Sequence, residues 1–319
     1  MKALRNAAIA AGLIVAAACV AVGWFLATVY ADRSYPQATV QVIVPRGSTF
    51  GDIASLLAEK GVIGNATAFR LLARLRHEDA DVHAGAYSFA PHQSADEVLR
   101  ALLSGGAQVA TWVTIPEGFT AAQIADRMHD AGLGPAAAFQ QAFRGHEGYL
   151  FPSTYLVPLD ASPDAVEKQL TAQFERELPK DAGAAAKALG VTVAQIVVVA
   201  SLVEREAKID ADRPMIAGVI YNRLRLAMPL QVDATIEYAL PEHKAELSFS
   251  DLKIDSPYNT YLHAGLPPTP IANPGLPSLE AALHPSKTDA LYYVYCGNGH
   301  HVFATTLEQH QANVARCLH

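Results

Sequence analysis

Cysteine is scarce in this chain: three in 319 residues. One of them, Cys19, lies inside an uncharged N-terminal run. Only Cys296 and Cys317 remain outside it, and an oxidising compartment would let them pair. Spacing alone leaves pairing and two free thiols equally open. No cysteine–histidine cluster has metal-ligand spacing, and the twelve histidines, His300 and His301 among them, are scattered. No metal and no other cofactor is therefore expected. Charge is sparse too, at 17% of residues, and no run of lysine and arginine is interleaved with aromatics. With a net charge of −7, this excludes nucleic acid as the partner. The chain does not lack apolar residues. They make up 51% of it, enough for real cores and against wholesale disorder.

Asn6 to Ala31 contains no charged residue. About 20 apolar residues cross a bilayer, so this run is long enough. Lys2 and Arg5 precede it, which puts the N-terminus in the cytoplasm and the rest outside. The run is longer than the apolar core of a secretory signal and lacks a clear cleavage site. The expected organisation is a cytoplasmic tail (1–6), a single-pass anchor (7–30) and a linker (31–39), followed by domains at 40–135 and 136–319. In a Gram-negative host the anchor would sit in the inner membrane and the exported part in the periplasm.

A pattern repeats after the linker. Val42-Ile-Val-Pro-Arg-Gly-Ser-Thr49 precedes Ile53 and Gly61, and Val113-Thr-Ile-Pro-Glu-Gly-Phe-Thr120 precedes Ile124 and Gly132 at the same offsets. A weaker copy runs from Tyr87 through Ser94 to Gly105-Gly106. Each copy reads as strand, Pro-x-Gly turn, capped helix and glycine stop. The copies are reminiscent of LysM-type modules, which bind wall glycans. A purely structural αβ spacer accounts for them equally well.

Thr192 to Lys208 reads as one helix, opened by a capping box of Thr192 and Gln195. Its valines are middling helix formers, so burial must hold it, and it is expected to be a central core helix. Glu204 shares a face with Val197, Ala200, Ser201 and Ala207. A carboxyl among small apolar neighbours near a helix C-terminus favours its protonated form, which is what a general acid needs. The alternative is a solvated helix end, with Glu204 and Lys208 an i,i+4 pair. Downstream, proline- and glycine-rich segments from Met228 to Gly275 carry amide, hydroxyl and aromatic side chains on turns. That is the make-up of a sugar cleft, and also of ordinary loops.

Six motifs follow in order: Val199-Ala-Ser-Leu-Val-Glu-Arg-Glu206, Tyr221-Asn-Arg-Leu224, Leu230-Gln-Val-Asp-Ala-Thr235, Ser256-Pro-Tyr-Asn-Thr-Tyr261, Gly265-Leu-Pro-Pro268 and Ile271-Ala-Asn-Pro-Gly275. In them the chain resembles the endolytic murein transglycosylase (YceG-like) family. Ile115-Pro-Glu-Gly-Phe-Thr120 and Glu147-Gly-Tyr-Leu-Phe-Pro152 also match. Arg205 stands where the family usually has lysine, and Val232 and Ala234 where it often has threonine and proline. The resemblance implies an α+β fold: an N-terminal transmembrane helix, a LysM-like αβ subdomain and a mixed catalytic domain. It implies a lyase that cuts the MurNAc-β-1,4-GlcNAc bond of nascent peptidoglycan, leaves a 1,6-anhydroMurNAc end and terminates strand elongation. By resemblance Glu204 is the catalytic residue and Glu206 the second choice. Asn222, Gln231, Asp233, Tyr258, Asn259 and Thr260 are expected to position the sugar. The implied partners are peptidoglycan strands, with peptidoglycan synthases as candidates. The rival readings are a muramidase-type hydrolase in which Asp233 activates water, and a non-catalytic wall-binding scaffold.

Overall fold

The structure is a computed structural model that describes residues 2–31, 38–79, 82–105, 108–240, 244, 247–297 and 300–317. Residues 32–37 of the expected linker, and Gly106, lie outside that set. The chain divides into two compact units. One comprises Met1–Val113 with Tyr155–Asp160, the other Thr114–Thr154 with Ala161–His319. The third repeat is shared between them: its strand joins the first unit's sheet, while its turn and helix belong to the second unit.

The first unit begins with α1 (Lys2–Tyr30). Within it, Ile9–Tyr30 is long and apolar enough to cross a membrane. Its last turns are not bare: Val29 is fully buried and Phe25 packs on the same core. Then follow β1 (Val40–Val44), α2 (Phe50–Glu59), α3 (Ala66–Arg76), β2 (Gly85–Phe89), α4 (Ala95–Ser104) and β3 (Gln108–Thr114), with β4 (Thr154–Pro158) returning later in the chain. The sheet order is β1-β2-β3-β4, and the β1–β2 and β2–β3 pairs are antiparallel. Val42 and Val44 alternate inward beneath the buried faces of α2, α3 and α4. The expected caps are present. Thr49 and Ser94 each accept the N3 amide while an N3 carboxylate reaches back. Gly47 takes a φ of 76° at the Pro-x-Gly turn, a conformation that only glycine adopts cheaply. Helix α3 is an addition that the repeat pattern did not reveal.

The second unit holds α5 (Ala121–Asp130), α6 (Ala136–Ala142), α7 (Pro163–Glu177), α8 (Ala182–Leu189), α9 (Val193–Glu206), α10 (Arg213–Arg225), α11 (Asp233–Ala239) and α12 (Leu276–Leu283). A hairpin of β5 (Tyr292–Tyr295) and β6 (His301–Ala304) follows, then α13 (Leu307–Cys317). Helix α9 is the buried element. Every residue from Ile196 to Val203 is buried, packed among α8, α10, α11 and α12. Burying a valine contributes about 2 kcal/mol, against a helix-propensity deficit of roughly 0.5 kcal/mol per β-branched residue. Burial therefore wins, and the Thr192–Gln195 box fixes where the helix begins.

A disulfide joins Cys296, just past β5, to Cys317 at the end of α13, over a sequence separation of 21. A loop of that size loses about 3 kcal/mol of unfolded-state constraint when the bond is removed. Replacing both cysteines by serine is expected to speed hydrogen exchange in α13 and the β5–β6 hairpin while leaving α9 protected. Unchanged exchange in α13 would show that the bond does not restrain it.

Candidate active site

Glu204 and Glu206 stand two positions apart at the end of α9 and face different surroundings. The Glu204 side chain is only 5% exposed, but its neighbours are not simply small and apolar. Its Oε1 lies 3.2 Å from a guanidinium nitrogen of Arg213. Its Oε2 accepts the backbone N–H of Gly275 at 3.0 Å, the N-cap of α12. Arg213 is itself buried. Burial opposes its charge, yet the Glu204 and Asp210 carboxylates override this and raise its pKa. It also donates to Asp210 and to the Ser278 hydroxyl. Glu204 thus ties α9 to the starts of α10 and α12. Glu117 lies beside it, its carboxyl filling the space where a side chain at residue 275 would stand. Burial, and then the Glu204 charge, raise the Glu117 carboxyl above its ordinary range.

Glu206 lines a cavity of about 570 Å³. Desolvation pushes its carboxyl up to about 7. The Tyr293 hydroxyl, donating to Oε2 at 2.9 Å, pulls the other way. The negative charges of Asp233 and Glu237 raise it further, and Lys208 lowers it. Around it stand Gln231, Asp233, Tyr261, Tyr292 and His301. Glu204 is not among the lining residues.

The cavity is assembled by buried polar side chains from distant segments. Arg223 donates to the carbonyls of Leu291, Pro229 and Leu230 at 2.6, 3.2 and 2.7 Å, with its guanidinium 5.1 Å from the centroid of Tyr292. It joins β5 to the turn before Gln231. Asp212 accepts both the backbone N–H of His301 at 2.7 Å and its Nδ1 at 3.0 Å, fixing the hairpin's second strand. The Tyr261 hydroxyl donates to Asp233.

The six residues expected to position sugar separate into two kinds. Gln231 and Asp233 line the Glu206 cavity, and Tyr258 lines a second one. Asn222, Asn259 and Thr260 do not face either. The Asn222 amide donates to the carbonyls of Thr288 and Ala290, and its oxygen accepts from Arg225. Asn259 is fully buried and is spent on four bonds within its own loop. The Thr260 hydroxyl accepts the Val232 amide and pairs with Thr235. These three shape the loops instead of offering polar atoms to a ligand. Arg223 and Tyr261 lie inside motifs already marked in the sequence, but nothing in the sequence linked Tyr293 or His301 to α9.

A model of the YceG-like family matches residues 42–316. The chain is similar to a Bacillus subtilis (strain 168) protein named endolytic murein transglycosylase, at 36% identity over 307 residues, covering 85% of this chain and 83% of that one. A Streptococcus pneumoniae (serotype 2) protein of the same name is 30% identical over 320 residues, 86% of this chain and 58% of the longer relative. A crystal structure of a YceG-like protein from Listeria monocytogenes superimposes with a TM-score of 0.62 at 32% identity, over 86% of this chain and 99% of that one. With the family model spanning most of the residues and the fold shared at that identity, the chain belongs to the YceG-like family.

Proposed function

We propose that this chain is an endolytic lytic transglycosylase of peptidoglycan, and that Glu206 carries its chemistry. The observation behind the choice is a carboxyl near pKa 7 on the wall of an open, tyrosine-lined cavity. The relatives' name supports the substrate and the reaction. A group half-protonated near neutral pH can act first as acid and then as base. Glu206 gives its proton to the glycosidic oxygen as the bond to MurNAc C1 breaks. The carboxylate it leaves takes the proton of the C6 hydroxyl, whose oxygen closes on C1. No water is consumed, and the product is a 1,6-anhydro ring.

Glu204, the catalytic residue by resemblance, is the rival for this role, with its carboxyl on Arg213 and on the Gly275 N–H at the start of α12. Asp233 keeps the hydrolytic reading alive, because it lines the same cavity. The masses of the products separate the two, since a reducing end carries one more water than an anhydro end.

The sheet-and-helix unit around β1, α2, α3 and β2 supports the LysM-like reading and a grip on glycan. Lys2 and Arg5, ahead of the apolar span Ile9–Tyr30, favour a cytoplasmic N-terminus, with the catalytic unit outside an inner membrane. Peptidoglycan synthases are the partners that release of nascent strands would require.

Glu206→Gln is expected to abolish anhydro-muropeptide release from purified peptidoglycan while leaving the melting temperature near that of the parent. Glu204→Gln is expected to do the reverse: lose about 3 kcal/mol by removing the buried carboxylate partner of Arg213, which keeps only the exposed Asp210, and keep activity below its lowered melting point. Full activity in Glu206→Gln would overturn the assignment. A second expectation concerns pH. The acid works protonated, so activity falls as pH rises through about 7. Tyr293→Phe removes a donor that favours the carboxylate, so the alkaline limb should move to higher pH. A limb that stayed in place or moved down would assign it to another group.

A further inference from the structure

The second unit carries another cavity, about 730 Å³ in volume, whose walls include Tyr149, Tyr238, Tyr258, Leu266 and Pro267. A hollow of about 630 Å³ lies between it and the Glu206 cavity. That hollow shares Arg205, Ala234 and Glu237 with the Glu206 cavity, and Glu147 and Tyr238 with the second cavity. The three lie side by side, each taking lining residues from α11.

The two ends of this row differ in charge. The Glu206 end presents Arg205, Lys208 and Arg223 beside its acids. Among the described residues the far end has no basic side chain, and its one charged group, Glu147, is already spent. Both Glu147 oxygens accept the Ala121 N–H, at 3.0 and 3.1 Å, and the Asn273 amide and the Tyr238 hydroxyl donate to it as well. Two of the three tyrosine hydroxyls are also engaged. That of Tyr238 is on Glu147, and that of Tyr258 is on Thr269 at 2.8 Å. The two rings pack 4.9 Å apart. What remains for a ligand is largely carbon: aromatic, prolyl and aliphatic surface.

Such a surface suits the C–H face of a neutral pyranose. It does not suit a stem peptide, whose carboxylates would lose hydration with no cation to receive them. We propose that this far cavity is a second glycan subsite, which takes a neutral N-acetylhexosamine of the same strand, remote from the bond that is cut. The proposal rests on the peptidoglycan reading above. Binding energy gathered there would hold a long strand in register at Glu206, which is what cutting inside a strand demands.

Ala194 allows a test without disturbing the fold, since it is exposed in the first turn of α9 and lines the far cavity. Ala194→Trp should fill the subsite, and Ala194→Leu should fill it in part. The probe is glycan strands freed of stem peptides by an amidase. In the Glu206→Gln background, affinity for them should fall at least 10-fold with tryptophan and less with leucine, at unchanged melting temperature. In the active enzyme KM for long strands should rise by the same factor with kcat preserved, while a tetrasaccharide spanning only the cut bond loses nothing. A penalty seen only on strands that keep their peptides would make the occupant a peptide and overturn the proposal. Equal affinity in parent and both variants would overturn it as well. Because the binding arm uses an inactive protein, absence of cleavage by the parent would count against the catalytic reading and leave the subsite to be judged by affinity alone.

Discussion

Two side chains two residues apart on an α-helix point about 200° away from each other. That geometric fact governs the chemistry at the end of α9. Once the valine-rich stretch from Ile196 to Val203 is buried, the helix cannot rotate, and its last two glutamates must serve opposite sides. One side is closed by the starts of α10 and α12, where an arginine and an N-cap amide meet Glu204. The other opens onto a cavity where a tyrosine hydroxyl is the direct partner of Glu206. Neither set of partners can pass to the other residue without turning a helix that eight buried residues hold in place.

The cavity around Glu206 is built by residues that no substrate needs to touch. Arg223, bonded to three backbone carbonyls, fixes β5 against the turn at Pro229–Gln231. Asp212 holds β6 through His301, and the Cys296–Cys317 bond closes the hairpin's outer end onto α13. A hairpin of two four-residue strands would be marginal alone. With these three restraints it delivers Tyr293 to the acid at a fixed distance. Burying the Arg223 guanidinium lowers its pKa, yet its three carbonyl acceptors satisfy the donors that burial strips of water.

Local chemistry was legible in the sequence and through-space chemistry was not. The capping boxes at Thr49, Ser94, Thr120 and Thr192 were readable because each involves residues three apart. The burial of α9 followed from its valines. The choice between Glu204 and Glu206 turns on Arg213, Gly275 and Tyr293, which lie 9 to 87 positions away and are brought in only by folding. The inward bonds of Asn259 and Thr260 were hidden for a related reason. A polar side chain in a proline-rich loop looks free for a ligand, but a tight loop leaves its own backbone groups unpaired, and these side chains complete them. Helix α3 was hidden because the repeat marks only the turn and cap that precede α2.

The clamp on the Glu204 side has a consequence for the acid on the other. The last turn of a helix has orphan carbonyls and tends to fray. In α9 that turn carries Glu206, so fraying would swing the acid and let water around it. Glu204 prevents this by anchoring the turn to Gly275 and Arg213, and Ser201 adds a second tie one turn earlier by accepting the Ile271 N–H at 3.1 Å. Both ties reach the same proline-rich loop, whose restricted φ angles make it a stiff anchor. The Ile-Ala-Asn-Pro-Gly segment thus braces the end of α9 that carries Glu206, whose raised pKa comes first from desolvation. A carboxyl that must hold a proton near neutral pH needs that rigidity as much as it needs its cavity.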